Sequence, residues 1–330
     1  MKAAYIEQVG PPDLIRYGDL PKPEPKGAQV LVKIAAVAVN PIDTYIRNGA
    51  NYWELPKPFI IGCDFAGKIE ALGPDAKQSK VGDQVWGSNQ GLMGRQGSFA
   101  EYCVVDECWL HATPANVSDE TVAACALVGI TAHLGLFQHM KVRAGETLFV
   151  NGGSGGVGSM VIQMAKAAGL RVIATAGSQE KVAECRSLGA DEAVNYKTED
   201  IAATVKKFAA QGVNAYWETT REPDFDKIVS YLAERGRIVL MAGREARPPF
   251  PVGPFYVKGC SLHGFVMFKA TADEQRACAM DINRWLAEGK LKPKIGRVLP
   301  LSDAAAAHRL QEDNTLRKAG TLAGKIVLKP

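Results

Sequence analysis

Short segments in which apolar and polar residues alternate occupy the first part of the chain, separated by glycine and proline. Alternation with a period of two is typical of half-buried β-strands, and Gly and Pro favour the turns between them. The segments lie at residues 2–6, 29–34, 67–72 and 82–87. This pattern predicts a β-rich, barrel-like domain over about the first 120 residues.

The pattern changes at Ser118-Asp119-Glu120, which has the composition of a helix N-terminus. Residues 123–137 are small and apolar, and after them short apolar runs alternate with amphipathic segments. This alternation favours an α/β fold with a doubly wound parallel sheet covered on both faces. The predicted strands are 147–151, 171–175, 192–196, 237–242 and 261–268, and the predicted helices are 157–168, 179–188 and 201–210. From about residue 292 we expect a strand, a helix near 304–311 and a closing strand at 324–328.

Length, charge and composition narrow the class of protein. The 330 residues suffice for about two domains, and no apolar run approaches the ~20 residues that span a bilayer. The formal net charge is only +4 and the basic residues are scattered, so nucleic-acid binding is not expected. The N-terminus lacks the apolar core of a secretory signal, which predicts a cytoplasmic protein. The seven dispersed cysteines are expected to be reduced, and most of them to fill core.

A glycine cluster between a predicted strand and a predicted helix indicates a dinucleotide site. Gly153, Gly155 and Gly158 form a GxGxxG motif, which is weak alone but is strengthened by this position. Glycines let the backbone turn tightly and approach a pyrophosphate, which then lies at the electropositive N-terminus of the helix.

The end of the second strand of this domain favours NADPH over NADH. Proteins that prefer NAD usually place a carboxylate there, against the ribose hydroxyls. Residues 174–178 contain no acid, while Ser178 and Lys181 offer a hydroxyl and a positive charge to a 2′-phosphate. The alternative, that Lys181 is only a solvated helix residue, stays open.

Seven segments, in order along the chain, carry a family resemblance. They are 39–49, Gly62-Cys63-Asp64-Phe65-Ala66-Gly67, 81–85, the loop Gly152-Gly153-Ser154-Gly155-Gly156-Val157-Gly158, Thr175-Ala176-Gly177-Ser178, Val194-Asn195-Tyr196 and Gly324-Lys325-Ile326-Val327-Leu328. The chain resembles the medium-chain dehydrogenase/reductase superfamily and, within it, the zinc-free quinone oxidoreductase and zeta-crystallin group.

The resemblance implies a fold and a cofactor site. It implies a GroES-like catalytic domain built from residues 1–120 and 266–330, with a Rossmann domain, 121–265, inserted between, and a substrate cleft where the two meet. Asn40 and Thr131 should lie near the nicotinamide, and Ser178, Lys181 and Tyr196 should surround the 2′-phosphate. The pyrophosphate should lie on Gly153, Ser154, Gly155, Gly156 and Val157, and the cofactor groove should be completed near Gly243, Phe265 and Ala323.

The metal ligands of zinc-dependent relatives are replaced in this chain, so no metal is expected. Asn40 stands where they have a cysteine, and Cys63-Asp64 where they have His-Glu. Cys103 and Cys108 alone cannot form a four-thiolate structural site. Cys63 is therefore interpreted as a small core residue rather than a reactive thiol.

Two local features complete this comparison. His133 and His139, six residues apart, have no metal-ligand spacing and are expected to have structural roles. Residues 217–223, Trp-Glu-Thr-Thr-Arg-Glu-Pro, replace the apolar, glycine-rich strand end of many relatives, so the family's cofactor contacts are not carried over to this segment.

The resulting hypothesis is a reductase of electron-poor acceptors, since no Lewis acid is available for saturated carbonyls. A quinone accepts hydride because the negative charge delocalises onto oxygen. Tyr45 and Tyr52 are candidate donors to that oxygen, Asn40 would position the nicotinamide, and Asp43 is a polar neighbour. Either tyrosine is also compatible with simple packing.

Two alternative functions are also compatible with the sequence, and one mode of subunit association is expected. The chain would otherwise reduce the double bond of enones or enoyl thioesters with NADPH, or bind NADPH without catalysis, like a crystallin. The resemblance also predicts subunit association, as a homodimer with a tetramer left open, in which the apolar strand at 261–268 joins two sheets edge to edge.

Overall fold

The computed structural model describes residues 1–50, 53–317 and 319–330. Its strands are β1 (Lys2–Ile6), β2 (Arg16–Asp19), β3 (Gln29–Val39), β4 (Phe59–Ile60), β5 (Asp64–Leu72), β6 (Gln84–Gly87), β7 (Tyr102–Asp106), β8 (Leu110–Ala112), β9 (Thr147–Val150), β10 (Arg171–Ala176), β11 (Glu192–Asn195), β12 (Val213–Glu218), β13 (Leu232–Leu240), β14 (Ser261–Gly264), β15 (Ile295–Pro300) and β16 (Lys325–Lys329). Its helices are α1 (Pro41–Arg47), α2 (Asp119–His133), α3 (Gly156–Ala167), α4 (Gln179–Ser187), α5 (Ile201–Phe208), α6 (Phe225–Tyr231), α7 (Val252–Val257), α8 (Ala272–Ala287) and α9 (Ala304–Thr315).

Both ends of the chain contribute to one compact unit, which comprises residues 1–128, 271–287 and 292–330. Its larger sheet has the order β15-β16-β3-β5-β6-β8, and β7 also pairs with β3. A smaller sheet has the order β2-β1-β4. The closing strand β16 lies antiparallel to β3, with Ile326 opposite Val39 and Leu328 opposite Val37. This pairing returns the last residues of the chain to the sheet built by the first.

The second compact unit, residues 129–270 and 288–291, contains a six-stranded parallel sheet. Its order is β11-β10-β9-β12-β13-β14, so the direction of strand addition reverses between β9 and β12. Phe149 and Tyr216 stack on one face, with ring centroids 4.7 Å apart, in a core that includes Val205 of α5 and Ile228 of α6. In open α/β sheets, ligands bind beyond the carboxyl ends of the strands at such a reversal.

The α/β parallel sheet and the β-rich first domain predicted from the sequence are confirmed. The strand at 261–268 was predicted too long, because it ends at Gly264 and a 3₁₀ turn follows at Met267–Lys269. Helices α1, α6, α7 and α8 were not predicted. The functional domains at 1–120 with 266–330 and at 121–265 stay a prediction.

One helical stretch in the described part of the chain, Asp119–His139, is long and apolar enough to span a membrane by length and composition. Its most apolar window has a mean hydropathy of 1.5, but 78% of that window is buried inside the structure. Burial of this extent is typical of a core helix, since the same composition suits both environments.

All seven cysteines are free, and five of them, Cys63, Cys103, Cys125, Cys185 and Cys278, are buried. Burial raises the pKa of Cys103, Cys125, Cys185 and Cys278 to about 12. The expected core-filling role of most cysteines is confirmed, because a buried protonated thiol behaves as a small apolar side chain.

His308 on α9 is fully buried, and its ring lies edge-on to Phe99 at 5.9 Å. Neither ring nitrogen has a hydrogen-bond partner among the described residues. Burial, and secondarily the Arg47 guanidinium, lowers the pKa of His308 to about 3. The folded protein therefore keeps this imidazole neutral at pH values where the unfolded chain protonates it.

We expect His308→Leu to weaken the acid sensitivity of folding. As pH falls from the unfolded His pKa of about 6.5 towards about 3, wild-type stability should fall by up to about 1.4 kcal/mol per pH unit from this residue. Urea denaturation at a series of pH values measures the slope for both proteins. The prediction is wrong if the two slopes are equal.

Candidate functional site

The glycine-rich loop between β9 and α3 has little space for side chains. Gly152 has φ +81°, and its N–H donates to Thr175 Oγ1 at 3.1 Å. A Cβ added to Gly158 would lie 2.2 Å from the Gly152 carbonyl oxygen. The first turn of α3 therefore packs directly on the loop backbone, as a pyrophosphate cradle requires.

The N-terminus of α3 is suited to bind an anion. Gly155 is the N-cap residue and provides no side-chain cap, while Gly155 and Gly156 are exposed. The first N–H groups of a helix have no intrahelical partner and carry partial positive charge. The loop residues Gly153, Ser154 and Val157 complete this segment, so the cradle fits the pyrophosphate of a nicotinamide dinucleotide.

A partly buried polar network supports the loop. Asn151 Oδ1 accepts from Thr175 Oγ1 at 2.7 Å, and Asn151 Nδ2 donates to both carboxylate oxygens of Glu218, at 3.0 and 3.1 Å. Thr219 Oγ1 donates to the Asn151 carbonyl at 2.6 Å. The unusual segment at 217–223 thus holds the residue that starts the loop, and it does so through the polar groups of Glu218 and Thr219.

The ends of β10 and β11 form the next part of the same sheet edge. Ser178 is the N-cap of α4, and its Oγ accepts from Lys181 N at 3.3 Å. A Cβ added to Gly177 would lie 2.6 Å from the Tyr196 hydroxyl, so this exposed tyrosine lies against Gly177. Ser178 and Tyr196 therefore both lie beside Gly177, and Lys181 follows in the first turn of α4. Residues 174–178 contain no carboxylate.

Two further predicted residues follow strands at this edge, and a third lies on a helix. Gly243 follows β13, and a Cβ there would meet the Arg221 carbonyl oxygen at 2.4 Å. Phe265 follows β14, and its ring stacks on His139 with centroids 4.4 Å apart. Thr131 lies in α2 and is 6% exposed.

The histidines pack in the way that structural roles require. The His139 ring stacks on Phe265, and the His133 ring lies 4.7 Å from Phe137.

In the first unit, Asn40 follows β3 directly and is the N-cap of α1. Its backbone N–H donates to Asp43 Oδ2 at 2.7 Å. Its side-chain Nδ2 donates to Asp64 Oδ2 at 2.8 Å, and its Oδ1 accepts from Lys325 Nζ. Both polar ends of this fully buried side chain are therefore engaged inside the first unit.

Asp64, at the start of β5, accepts further hydrogen bonds. Its Oδ1 accepts from Ser88 Oγ at 2.7 Å and from the Leu127 backbone N–H at 3.1 Å. Lys325 Nζ also donates to the Val39 carbonyl oxygen at 2.9 Å. The result is a buried polar cluster, defined by Asn40, Asp43, Cys63, Asp64 and Lys325.

Burial dominates the electrostatics of this cluster. It raises the pKa of Asp43 to about 7, raises that of Asp64 and lowers that of Lys325. It also raises the pKa of the Cys63 thiol well above its ordinary value, and the Asp43 carboxylate adds to this shift. Cys63 therefore stays protonated, which supports its interpretation as a core residue rather than a nucleophile.

The remaining predicted residues lie elsewhere in the first unit or outside the described chain. Tyr45 is half-buried on α1. Ala323 is exposed and precedes Gly324 and β16. Tyr52 lies outside the described residues.

Comparison with known proteins identifies the family. Residues 26–115 match the alcohol dehydrogenase GroES-like domain, and residues 156–282 match the zinc-binding dehydrogenase domain. Human quinone oxidoreductase is 32% identical over 330 residues, which cover 99% of this chain and 97% of that protein. The chain belongs to the quinone oxidoreductase family.

Two further similarities concern activity and structure. An NADPH-dependent alkenal/one oxidoreductase from Arabidopsis thaliana chloroplasts is 33% identical, covering 100% of this chain and 80% of that protein. The structure of mycobacterial Rv1454c complexed with NADPH is 31% identical, with a TM-score of 0.86 and full coverage of both chains. The predicted medium-chain dehydrogenase/reductase fold, with a GroES-like domain and a Rossmann-type sheet, is confirmed for this quinone oxidoreductase family member.

The zinc-binding description of the matching domain does not fit the residues of this family member. Asn40 and Asp64 are hydrogen-bonded to each other, the Lys325 ammonium lies on Asn40 Oδ1, and the Cys63 thiol is held protonated. Zinc instead requires deprotonated sulfur, neutral imidazole or free carboxylate ligands. Within residues 1–50, 53–317 and 319–330, no group of three His, Cys, Asp or Glu side chains has an arrangement that could hold a metal ion.

Sequence reasoning missed four polar residues of the two networks. In the sequence, Asp64 was noticed only because it stands where zinc-dependent relatives have a metal ligand. No role was predicted for Lys325, Asn151 or Glu218. A charged residue inside an otherwise apolar run was the available signal, since buried charges in proteins are normally paired. Lys325 precedes Ile-Val-Leu in β16, and Glu218 ends the apolar strand β12.

Gly158→Ala should disrupt cofactor binding, because its methyl group would overlap the Gly152 carbonyl oxygen. We expect the affinity for NADPH to fall by about tenfold or more, measured by quenching of tryptophan fluorescence. Gly253→Ala is the matched control, since a Cβ there meets nothing within 4 Å. An unchanged affinity in Gly158→Ala would contradict the assigned cradle.

Proposed function

We propose that this chain is an NADPH-dependent oxidoreductase that transfers hydride to quinones. The observation that carries the proposal is the edge of the parallel sheet, where a glycine cradle adjoins a strand end without a carboxylate. Membership of the quinone oxidoreductase family supports the same assignment.

Each part of this edge would hold one part of the cofactor. The backbone N–H groups at the N-terminus of α3 would bind the pyrophosphate. Ser178 Oγ accepts from Lys181 N, which leaves its hydroxyl hydrogen free to point towards a 2′-phosphate. Lys181 adds a positive charge and Tyr196 a hydroxyl. Gly243, Phe265, Thr131 and Ala323 remain proposed contacts of the rest of the cofactor.

When bound, NADPH would supply a hydride. The protein then has to hold the acceptor and stabilise the negative charge that develops on its oxygen. We propose Tyr45 and Tyr52 as donors to that oxygen, with solvent as the source of the final proton. Asn40 is proposed to position the nicotinamide end, although its side chain is held by Asp64 and Lys325.

An alternative substrate class is the α,β-unsaturated carbonyl. The similarity to an alkenal/one oxidoreductase favours it, and enones share with quinones an acceptor whose charge delocalises onto oxygen. The same cradle and the same tyrosines would serve either substrate.

We also propose a cytoplasmic homodimer. Strand β14 lies at the edge of the parallel sheet, and an edge strand offers unpaired backbone groups to a second copy. Leu262 and Val266 next to this edge are 39% and 44% exposed, and Tyr256 and Val257 of α7 are 69% and 71% exposed. Apolar side chains around a free strand edge suit a symmetric association.

The proposal predicts NADPH oxidation with a selective acceptor in metal-chelated buffer. Absorbance decay of NADPH should be measured with an ortho-quinone, a para-quinone, a simple enone, an enoyl thioester and a saturated aldehyde. We expect turnover with quinones that persists under chelation, because the cluster around Asn40 provides no metal-binding donor set.

The other possible results of this acceptor test point to the alternative functions. Selective reduction of the enone or thioester would replace the quinone assignment with double-bond reduction. Tight NADPH binding without any turnover would instead indicate a non-catalytic, crystallin-like binding protein.

Lys181→Ala should reduce the preference for NADPH over NADH. Loss of a charged contact to phosphate costs about 1.5–3 kcal/mol, which is about tenfold to a hundredfold in NADPH affinity, whereas NADH affinity should not change. Titration of both cofactors measures the ratio. Lys207→Ala on α5 is the control that removes the same charge elsewhere in the domain, and equal effects of the two substitutions would overturn the contact.

A further inference from the structure

Lys325 lies inside the buried polar cluster, where it faces two carboxylates. We infer that Lys325 is a positioning residue of this reductase, whose internal ammonium offsets part of the negative charge of the Asp43–Asp64 pair and holds the Asn40 side chain in one orientation. The inference rests on the proposed function, because it assigns a role in the same reaction.

The contacts of Lys325 define the orientation of Asn40. Its Nζ donates to Asn40 Oδ1 and to the Val39 carbonyl oxygen, while Asp64 accepts from Asn40 Nδ2. An amide held by a donor at its oxygen and an acceptor at its nitrogen cannot rotate by 180° without losing both bonds. Lys325 at the amide oxygen, and Asp64 and the Ala38 carbonyl oxygen at the amide nitrogen, therefore together fix which end of the Asn40 amide points in each direction.

The cluster also connects separate elements of the first unit. Lys325 is the first residue of β16, Asn40 joins β3 to α1, and Asp64 begins β5. Asp64 further binds Ser88, which follows β6, and the backbone of Leu127 in α2. Displacement of Lys325 would therefore move the start of α1, the helix that carries Tyr45.

The charge balance inside the cluster depends on the ammonium. The titratable groups facing it are Asp43 from α1, Cys63 and Asp64 at the start of β5, and Cys125 from α2. Both thiols are held protonated and the pKa of Asp43 is raised to about 7, so above neutral pH the two carboxylates are the facing groups that carry negative charge. Without Lys325 these carboxylates would be buried together with no cation, and one of them would have to take up a proton.

The free energy of folding alone does not explain why the chain contains such a cluster of buried charges. Replacing buried ion pairs by well-packed apolar groups is often neutral or stabilising, because desolvation offsets the Coulomb attraction. A fixed orientation of the amide that is proposed to position the nicotinamide is a reason of another kind, since a small misplacement at an active site lowers the rate strongly.

Two variants separate positioning from charge balance. Lys325→Met removes the ammonium and keeps the length of the side chain. Lys325→Met with Asp43→Asn restores the net charge, and Asp64 keeps its three donors, but Asn40 Oδ1 still lacks the lysine. Lys329→Met is the matched control, because Lys329 lies on the same strand in an exposed ion pair with Glu120.

The first measurement is urea unfolding of the cofactor-free proteins from about pH 6 to about pH 9. Above about pH 7 wild-type Asp43 has released its proton, whereas in Lys325→Met the carboxyl pair keeps a proton that the unfolded chain has released. In that range the stability of Lys325→Met should therefore fall more steeply with rising pH, by about one proton. The double variant should return to the wild-type slope. This readout needs neither cofactor nor turnover, so it stays valid if the proposed function fails.

The second measurement is kcat, and KM for NADPH, with the best acceptor of the wild type. We expect both Lys325 variants to have kcat lowered by about tenfold or more, with KM for NADPH nearly unchanged. Recovery of wild-type kcat in the double variant would show that Lys325 only balances charge. A wild-type pH slope in Lys325→Met, or failure of both variants to fold, would also overturn the assignment.

Discussion

The first unit depends on an ammonium group in its interior. Lys325 reaches the buried side of β3 because the last strand of the chain pairs with it, and Asn40 and Asp64 are arranged around that charge. A buried cation and two buried carboxylates are each costly alone and tolerable together, provided that hydrogen bonds satisfy the remaining atoms. Strand β16 is therefore part of the interior of this unit, with Lys325, Ile326, Val327 and Leu328 buried.

In the second unit, the important feature is that the backbone N–H groups at the start of α3 remain accessible to a ligand. Gly155 and Gly156 are exposed at the start of α3, and Gly158 lets the helix approach the loop. The side chains that stabilise this loop lie beneath it, in the network of Asn151, Thr175 and Glu218. The polar groups that support the loop come from neighbouring strands, and the exposed residues at the start of α3 are the glycines Gly155 and Gly156.

Much of the fold was predictable from the sequence. Period-two alternation and the strand–helix pattern around the glycine cluster each reflect local physics that operates within about ten residues. The closing strand was found as an apolar run, and the family resemblance placed it with the first domain. Helix α8 was missed, although its buried Cys278, Ile282 and Trp285 recur at helical spacing.

The candidate sites were predictable only where a motif is local. The loop at 153–157 and the strand end at Ser178 are contiguous signals, whereas the buried cluster joins residues 40, 43, 64 and 325. Such a cluster depends on strand pairing across almost the whole chain, and a single sequence shows only that a lysine stands beside apolar residues. The polarity of the segment at 217–223 was noticed, but the structure was needed to show that Glu218 points at Asn151.

The burial and protonation of the cysteines affect how the protein tolerates its proposed substrates. Quinones and enones are electrophiles that form covalent adducts with thiolates, so a protein that handles them is exposed to alkylation by its own substrates. Five of the seven thiols are buried, and burial raises the pKa of each of these five well above neutrality. Protonated and shielded sulfur reacts slowly with such compounds. The same packing that fills the cores therefore gives the protein chemical resistance to the molecules it is proposed to reduce.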